Sequence, residues 1–182
     1  DDIILPPKIK WFSSNDLLNY NEIIELSCNL INNPEIIYKK IIVWCGMIDL
    51  CKKMADLFIS YFPNFLIAID TSKDEFKRVS PPCDDFKREK INKNIKNYED
   101  FANCEKNALL FCAGKHREGS DIKNLDCAIF LDKVEVRCSQ VFVQCIGRVL
   151  RQDPLRKKKY GLIIDVKAKS SYYIINNLNL AL

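Results

Sequence analysis

ALLFCAGKHREGSDIKNLDCAIFLD, residues 108–132, decides how this chain folds. ALLFCA is a continuous apolar run, and CAIFLD is another, closed by an aspartate. Runs of this length without polar alternation indicate strands buried on both faces. The intervening GKHREGSDIKN is polar and carries two glycines, which marks a loop. Working outward, IIVWC (41–45), FLIAID (65–70) and YGLIIDV (160–166) repeat the buried-strand pattern, and LPPKIKWF (5–12) reads as a proline-stiffened entry into a short strand.

Amphipathic stretches alternate with these strands. Residues 16–32 carry apolar positions at helical spacing, with Ser13, Ser14 and Asn15 as N-cap candidates and Pro34 as the stop. Residues 47–61 pack through Leu50, Met54, Leu57 and Phe58, and residues 86–101 place Ile91, Ile95, Tyr98 and Phe101 on one stripe. Residues 139–151 form a further helix, and SSYYIINNLNLAL (170–182) a terminal one. TSKDEFKRVSPPCDD (71–85) is polar, broken by Pro81 and Pro82, and reads as a loop. Alternating buried strands and amphipathic helices give an α/β fold: a three-layer sandwich with a mostly parallel central sheet and helices on both faces. Ligands of such sheets bind where loops leave the carboxyl ends of strands. That geometry predicts a site built from residues 114–121 and 144–151.

The helix before the last strand contains QCIGRVLR, Gln144 to Arg151. Gln144, Arg148 and Arg151 stand at i, i+4 and i+7, so a continuous helix would present them on one face. Phe142, Cys145, Ile146, Val149 and Leu150 supply the opposite, core-facing side. A fixed Gln/Arg/Arg face suits an anion such as a nucleotide phosphate, while the same residues also make an ordinary solvated surface.

QxxGRxxR is the form of motif VI in many superfamily 2 helicases, and Gln144, Gly147, Arg148 and Arg151 match it. Residues 107–132 resemble motif V, an apolar strand running into an EGxD loop, matched here by Glu118, Gly119 and Asp121. KKIIVWCGMIDLCKKMADLF (39–58) is similar to motif IV. The three motifs follow the family's order and cover most of residues 39–166. The resemblance implies the second RecA-like domain of a two-domain ATP-dependent motor. Residues 1–12 would be the end of the interdomain linker and the first strand, and residues 13–182 the C-terminal domain. ATP and Mg2+ would be held mainly by an N-terminal RecA-like domain, because the sequence contains no GxxxxGK[ST] and no acidic magnesium motif. A chain that starts at Asp1 rather than methionine is expected to be an excised half, inactive alone.

The same resemblance assigns roles. Arg148 and Arg151 would contact the γ-phosphate across the cleft, with Arg151 as the arginine finger, and Gln144 would join the γ-phosphate or its water network. Asp121 would accept a hydrogen bond from the ribose hydroxyl or pair with a motif VI arginine, with Gly119 turning the backbone and Glu118 beside it. Lys115, His116 and the backbone at Gly46 would meet the DNA or RNA backbone. Ala113 departs from the threonine many members carry. Trp44 reads as core. The alternatives are a nucleic-acid-dependent ATPase module of a restriction-type, defence or transcription machine that does not unwind, and a non-catalytic RecA-like scaffold.

Composition sets looser bounds. A chain of 182 residues buries roughly 70% of its unfolded surface, enough for one domain with a real core. Lys and Arg number 28 against 24 Asp and Glu, and a net charge of +4 permits a polyanion partner without requiring one. No apolar run reaches membrane-spanning length and no signal peptide is present, so a soluble intracellular protein is expected. The nine cysteines form no CxxC pair and meet a single histidine, so free thiols are expected, with no metal and no disulfides. The excess of Ile, Asn and Lys fits an AT-rich coding genome, such as that of a large DNA virus, a protist or a bacterium.

Overall fold

The fold is taken from a computed structural model, which describes residues 4–11, 40–71, 95–114, 116, 122–131, 139–152 and 158–165. The helices expected over 16–32 and 170–182 lie outside these residues. Among the described residues the elements are β1 (Pro7–Trp11), β2 (Lys40–Trp44), α1 (Ile48–Tyr61), β3 (Leu66–Ile69), β4 (Ile95–Lys96), α2 (Tyr98–Asn103), β5 (Ala108–Cys112), β6 (Cys127–Phe130), α3 (Ser139–Val149) and β7 (Gly161–Asp165).

The strands form one sheet in the order β1-β7-β6-β2-β5-β3-β4, and each ladder between them is parallel. The apolar runs therefore do what their composition demands. Every residue of β2, β5, β6 and β7 is buried. One face of the sheet offers Ile41, Val43, Leu109, Phe111 and Ile129 to Cys51, Met54, Ala55 and Phe58 of α1. The other offers Ile42, Trp44, Leu110, Phe130 and Ile163 to Phe101 of α2 and to Cys145, Ile146 and Val149 of α3. This is the three-layer RecA-like α/β arrangement. Trp44 is fully buried and stacks on Phe130 with ring centroids 5.0 Å apart, as a core residue does.

Lys40 shows how the sheet tolerates a buried cation. Its Nζ donates to the Ala102 carbonyl at 2.9 Å and lies 5.0 Å from the centre of the Phe101 ring. Its backbone N–H donates to the Asp126 carboxylate at 2.9 Å, so the start of β2 is tied to α2 through the side chain and to the residue ahead of β6 through the backbone.

Two expected boundaries are corrected. The helix over 86–101 is not continuous, because Ile95–Lys96 pairs with Ile67–Ala68 as a strand. Helix α2 starts only at Tyr98, where Asn97 and Asp100 form a reciprocal capping box. Replacing Asn97 by alanine should lower stability by about 1 kcal/mol, read as a drop in denaturation midpoint. Met47 is the N-cap of α1 rather than its first turn, and its exposed side chain makes no capping bond.

The described cysteines, Cys45, Cys51, Cys104, Cys112, Cys127 and Cys145, are free thiols. Burial, reinforced by the neighbouring Asp126 charge, pushes the Cys127 thiol far above the usual thiol range. In the unfolded chain this thiol ionises near pH 8.5, so the folded state holds an extra proton above that point. Stability should therefore fall as pH rises through the alkaline range. Cys127→Ala should flatten that fall in a pH series of urea denaturations.

Candidate functional site

At the carboxyl ends of β2, β5 and β3, the ladder continues past the strands. Cys45 N–H donates to the Cys112 carbonyl at 2.9 Å, Gly46 N–H to the Ala113 carbonyl at 3.1 Å, and Asp70 N–H to the Phe111 carbonyl at 3.0 Å. Gly46 is exposed with φ 78°, a conformation that suits glycine. Gly114 is also exposed, and a Cβ built there would meet nothing within 4 Å. Gly46 and Gly114 thus present bare backbone at the edge between β2 and β5.

His116 lies beside that edge and is held tightly. Its Nε2 is 2.7 Å from Asp70 Oδ2, with side-chain exposures of 9% and 11%. Its ring stacks on Tyr98 at 4.3 Å with 19° between planes. A carboxylate only accepts, so Nε2 carries the proton and donates it. Asp70 was not expected at the site from the sequence, and Tyr98 was read only as part of a core stripe. The available signal was an aspartate closing the apolar run FLIAID, which places a carboxylate where β3 leaves the sheet. Lys115, Glu118, Gly119 and Asp121 lie outside the described residues.

The helix that carries Gln144 and Arg148 ends elsewhere. From β6, α3 runs back along the sheet and finishes at the amino ends of the strands. There Leu5 N–H donates to the Leu150 carbonyl at 2.8 Å, and Ile4 and Arg151 form an isolated antiparallel bridge. Lys158 Nζ donates both to the Val149 carbonyl and to the Leu125 carbonyl, just ahead of β6. Such a lysine satisfies carbonyls that a helix end leaves open. Gln144 and Arg151 are exposed, and Arg148 is half-buried. Arg148 Nε is buried, and no hydrogen-bond acceptor meets it among the described residues.

This geometry corrects one expectation. Arg151 is not on the helical face of Gln144 and Arg148, because α3 stops at Val149. Its backbone is committed instead to the segment ahead of β1. Whether residues 117–121 of the loop reach α3 lies outside the described residues. Gly46, Gly114 and His116 gather at the carboxyl edge, whereas Arg148 and Arg151 stand at the amino end. The chain bridges the two levels after the loop, since Ile122 and Leu125 pack with Cys145, Ile146 and Val149 on the α3 face. Among the described residues there is no group of three or more His, Cys, Asp or Glu side chains able to hold a metal ion. No helix among them is long and apolar enough to cross a membrane.

No protein-family model matches this chain, and no curated protein matches it. Solved structures do. The chain is similar to a fragment assigned to the HsdR subunit of a type I restriction enzyme from Vibrio vulnificus YJ016, with TM-score 0.62 and 16% identity over 94% of this chain and 34% of that one. It is similar to the C-terminal domain of the DEAD-box protein Dbp5, with TM-score 0.58 and 13% identity over 99% of this chain and 88% of that one. The ATP-dependent Type ISP restriction-modification enzyme LlaBIII, bound to DNA, aligns with TM-score 0.51 and 17% identity over 91% of this chain and 12% of that one. At identities this low the likeness shows a shared fold alone. The chain spans about a third of the length of the HsdR fragment. None of these three is described as viral, and they lend no support to a viral origin.

Proposed function

We propose that this chain is the C-terminal motor domain of a superfamily 2 ATP-dependent helicase or translocase, working with an N-terminal RecA-like domain of the same parent. The observation that carries the reading is the placement of three motifs on one parallel sheet. The motif IV residues span β2 and most of α1, the motif V loop follows β5, and the motif VI residues lie on and just beyond α3, after β6. The fold shared with the Dbp5 C-terminal domain, over nearly all of both chains, supports the same reading.

The two surfaces divide the work. Arg148, Arg151 and Gln144 would face the phosphates of ATP bound by the partner domain. A buried Arg148 Nε with no acceptor among the described residues fits an arginine whose anion is supplied from outside. Mg2+ would be held mainly by the other domain. When bound, Mg2+ would neutralise charge on the phosphates. In the motif V loop, Asp121 would hold the ribose hydroxyl, with Gly119 and Glu118 shaping the turn. At the opposite edge, Gly46 and Lys115 would meet the DNA or RNA backbone without reading sequence. In this reading residues 1–12 are the linker end and first strand, the domain alone hydrolyses no ATP, and the parent works inside the cell.

The test is ATP hydrolysis by the longer parent protein, with and without single-stranded DNA and RNA. Stimulation by one of them supports the motor and identifies its track. Absence of any hydrolysis sinks the motor and leaves a RecA-like scaffold. A second reading is a DNA-translocating ATPase of restriction type that does not separate strands. It is favoured by the restriction-enzyme likenesses, one of them in a DNA-bound enzyme. Displacement of a triplex-forming strand without unwinding of a duplex would select it.

A further inference from the structure

His116 is the only histidine in the chain, and its backbone has φ 64°, in the left-handed region that side chains rarely adopt. Such a residue costs roughly 1–2 kcal/mol, so its surroundings must hold it there. Two groups from different elements do so. Asp70 stands where β3 leaves the sheet, and its carboxylate accepts the Nε2 proton at 2.7 Å. Tyr98 is the first residue of α2, fixed by the Asn97–Asp100 capping box, and stacks flat on the imidazole. Asp70 N–H in turn donates to the Phe111 carbonyl on β5, the strand that leads to His116. The ring therefore joins the exits of β3, β4 and β5 at one point, two residues beyond the bare backbone at Gly114.

We propose that His116 is a positioning residue for the Gly46–Ala113–Gly114 edge, and not itself a contact to a nucleic-acid phosphate. Electrostatics argue against direct contact. The Nε2 proton is already given to a carboxylate, and a phosphate arriving there would meet the Asp70 charge at close range. Geometry argues for positioning. Gly46 is bonded to Ala113, so an edge held at His116 is held at Gly46 as well. An edge ordered in advance does not pay its ordering cost at the moment of binding. The consequence for nucleic acid rests on the function proposed above; the clasp itself does not.

The experiment has two arms. In the first, the single histidine gives one pair of imidazole C–H resonances in the isotopically labelled chain. Stacking on Tyr98 should place them upfield of free histidine. Tyr98→Leu should return them toward the free position, and Asp70→Ala should move them too. Resonances that ignore both substitutions would overturn the clasp. In the second arm, oligo-dT and oligo-U binding is followed by fluorescence anisotropy between about 50 and 200 mM salt. His116→Asn tolerates the left-handed backbone, so the fold should persist. Its affinity should fall roughly three- to tenfold, the cost of ordering the edge on binding, with an unchanged salt slope. A slope reduced by about one would make His116 a phosphate contact and overturn the proposal. Failure of the unaltered chain to bind either oligonucleotide would remove the function proposed above, and the positioning role with it, while the resonances still judge the clasp.

Discussion

Arg151→Ala in the longer parent should lower nucleic-acid-stimulated ATP hydrolysis by roughly 10³-fold while leaving nucleic-acid binding and the folded state in place. The expectation follows from the separation of side chain and backbone at this position. The backbone of Arg151 is committed to Ile4, and alanine keeps that bridge. The side chain is exposed, so its removal opens no cavity, and surface truncations of this kind stay within about 0.5 kcal/mol. In the proposed role, the loss that matters to hydrolysis is a planar, always-charged fork that would meet the phosphoryl oxygens as charge develops. Arg151→Lys should recover little, since a point charge does not reproduce the fork. The measurement is steady-state hydrolysis at saturating oligonucleotide beside a thermal melt. Hydrolysis that survives Arg151→Ala, at unchanged stability, would move the finger to Arg148 or remove it from this chain.

Gly161→Ala should destabilise the domain by about 1–3 kcal/mol, the usual scale of overpacking. A Cβ at this first residue of β7 would lie 2.8 Å from the Val149 carbonyl oxygen and 2.8 Å from Leu150 Cδ2. Leu150 is buried and the carbonyl is backbone, so neither yields cheaply. Gly161 N–H also donates to the Pro6 carbonyl, while Leu5 donates to Leu150, so the α3 end, β1 and β7 converge on one point. An added methyl pushes on the turn that presents Arg151. A lower midpoint in urea denaturation checks the stability effect. If the parent's hydrolysis falls further than the loss of folded protein accounts for, the turn matters to chemistry as well. An unchanged midpoint would mean that the α3 end shifts freely.

The strands were legible because burial on both faces writes itself as an unbroken apolar run, and ALLFCA, CAIFLD, IIVWC and YGLIIDV each contain most or all of a strand of the sheet. The stretch 86–101 misled because Ile95, Tyr98 and Phe101 fall at helical spacing by coincidence. A two-residue strand is too short to leave a periodic trace, and the readable signal was the Asn97–Asp100 cap. The end of α3 was not legible locally. Nothing within QCIGRVLR stops the helix; Leu5 and Lys158, distant in sequence, take up the carbonyls of Leu150 and Val149. His116 could be recognised as chemically useful, but its grip by Asp70 exists only once β3, β4 and β5 lie side by side. Nor could the sequence show that Gly46 and Arg151 stand at opposite ends of the sheet.

The strand order carries a consequence for synthesis on the ribosome. β1 emerges first among the described strands but finds its partner only in β7, the last of them. Until β7 inserts between β1 and β6, the nascent sheet ends at an open β6 edge, lined by a chain that is apolar on both faces. Contacts this distant along a chain form slowly, and exposed edges of this kind favour pairing with the wrong neighbour. A pause in translation ahead of residue 161 would therefore be a hazardous moment for this domain, and shortening the chain before β7 would remove the wedge that closes it.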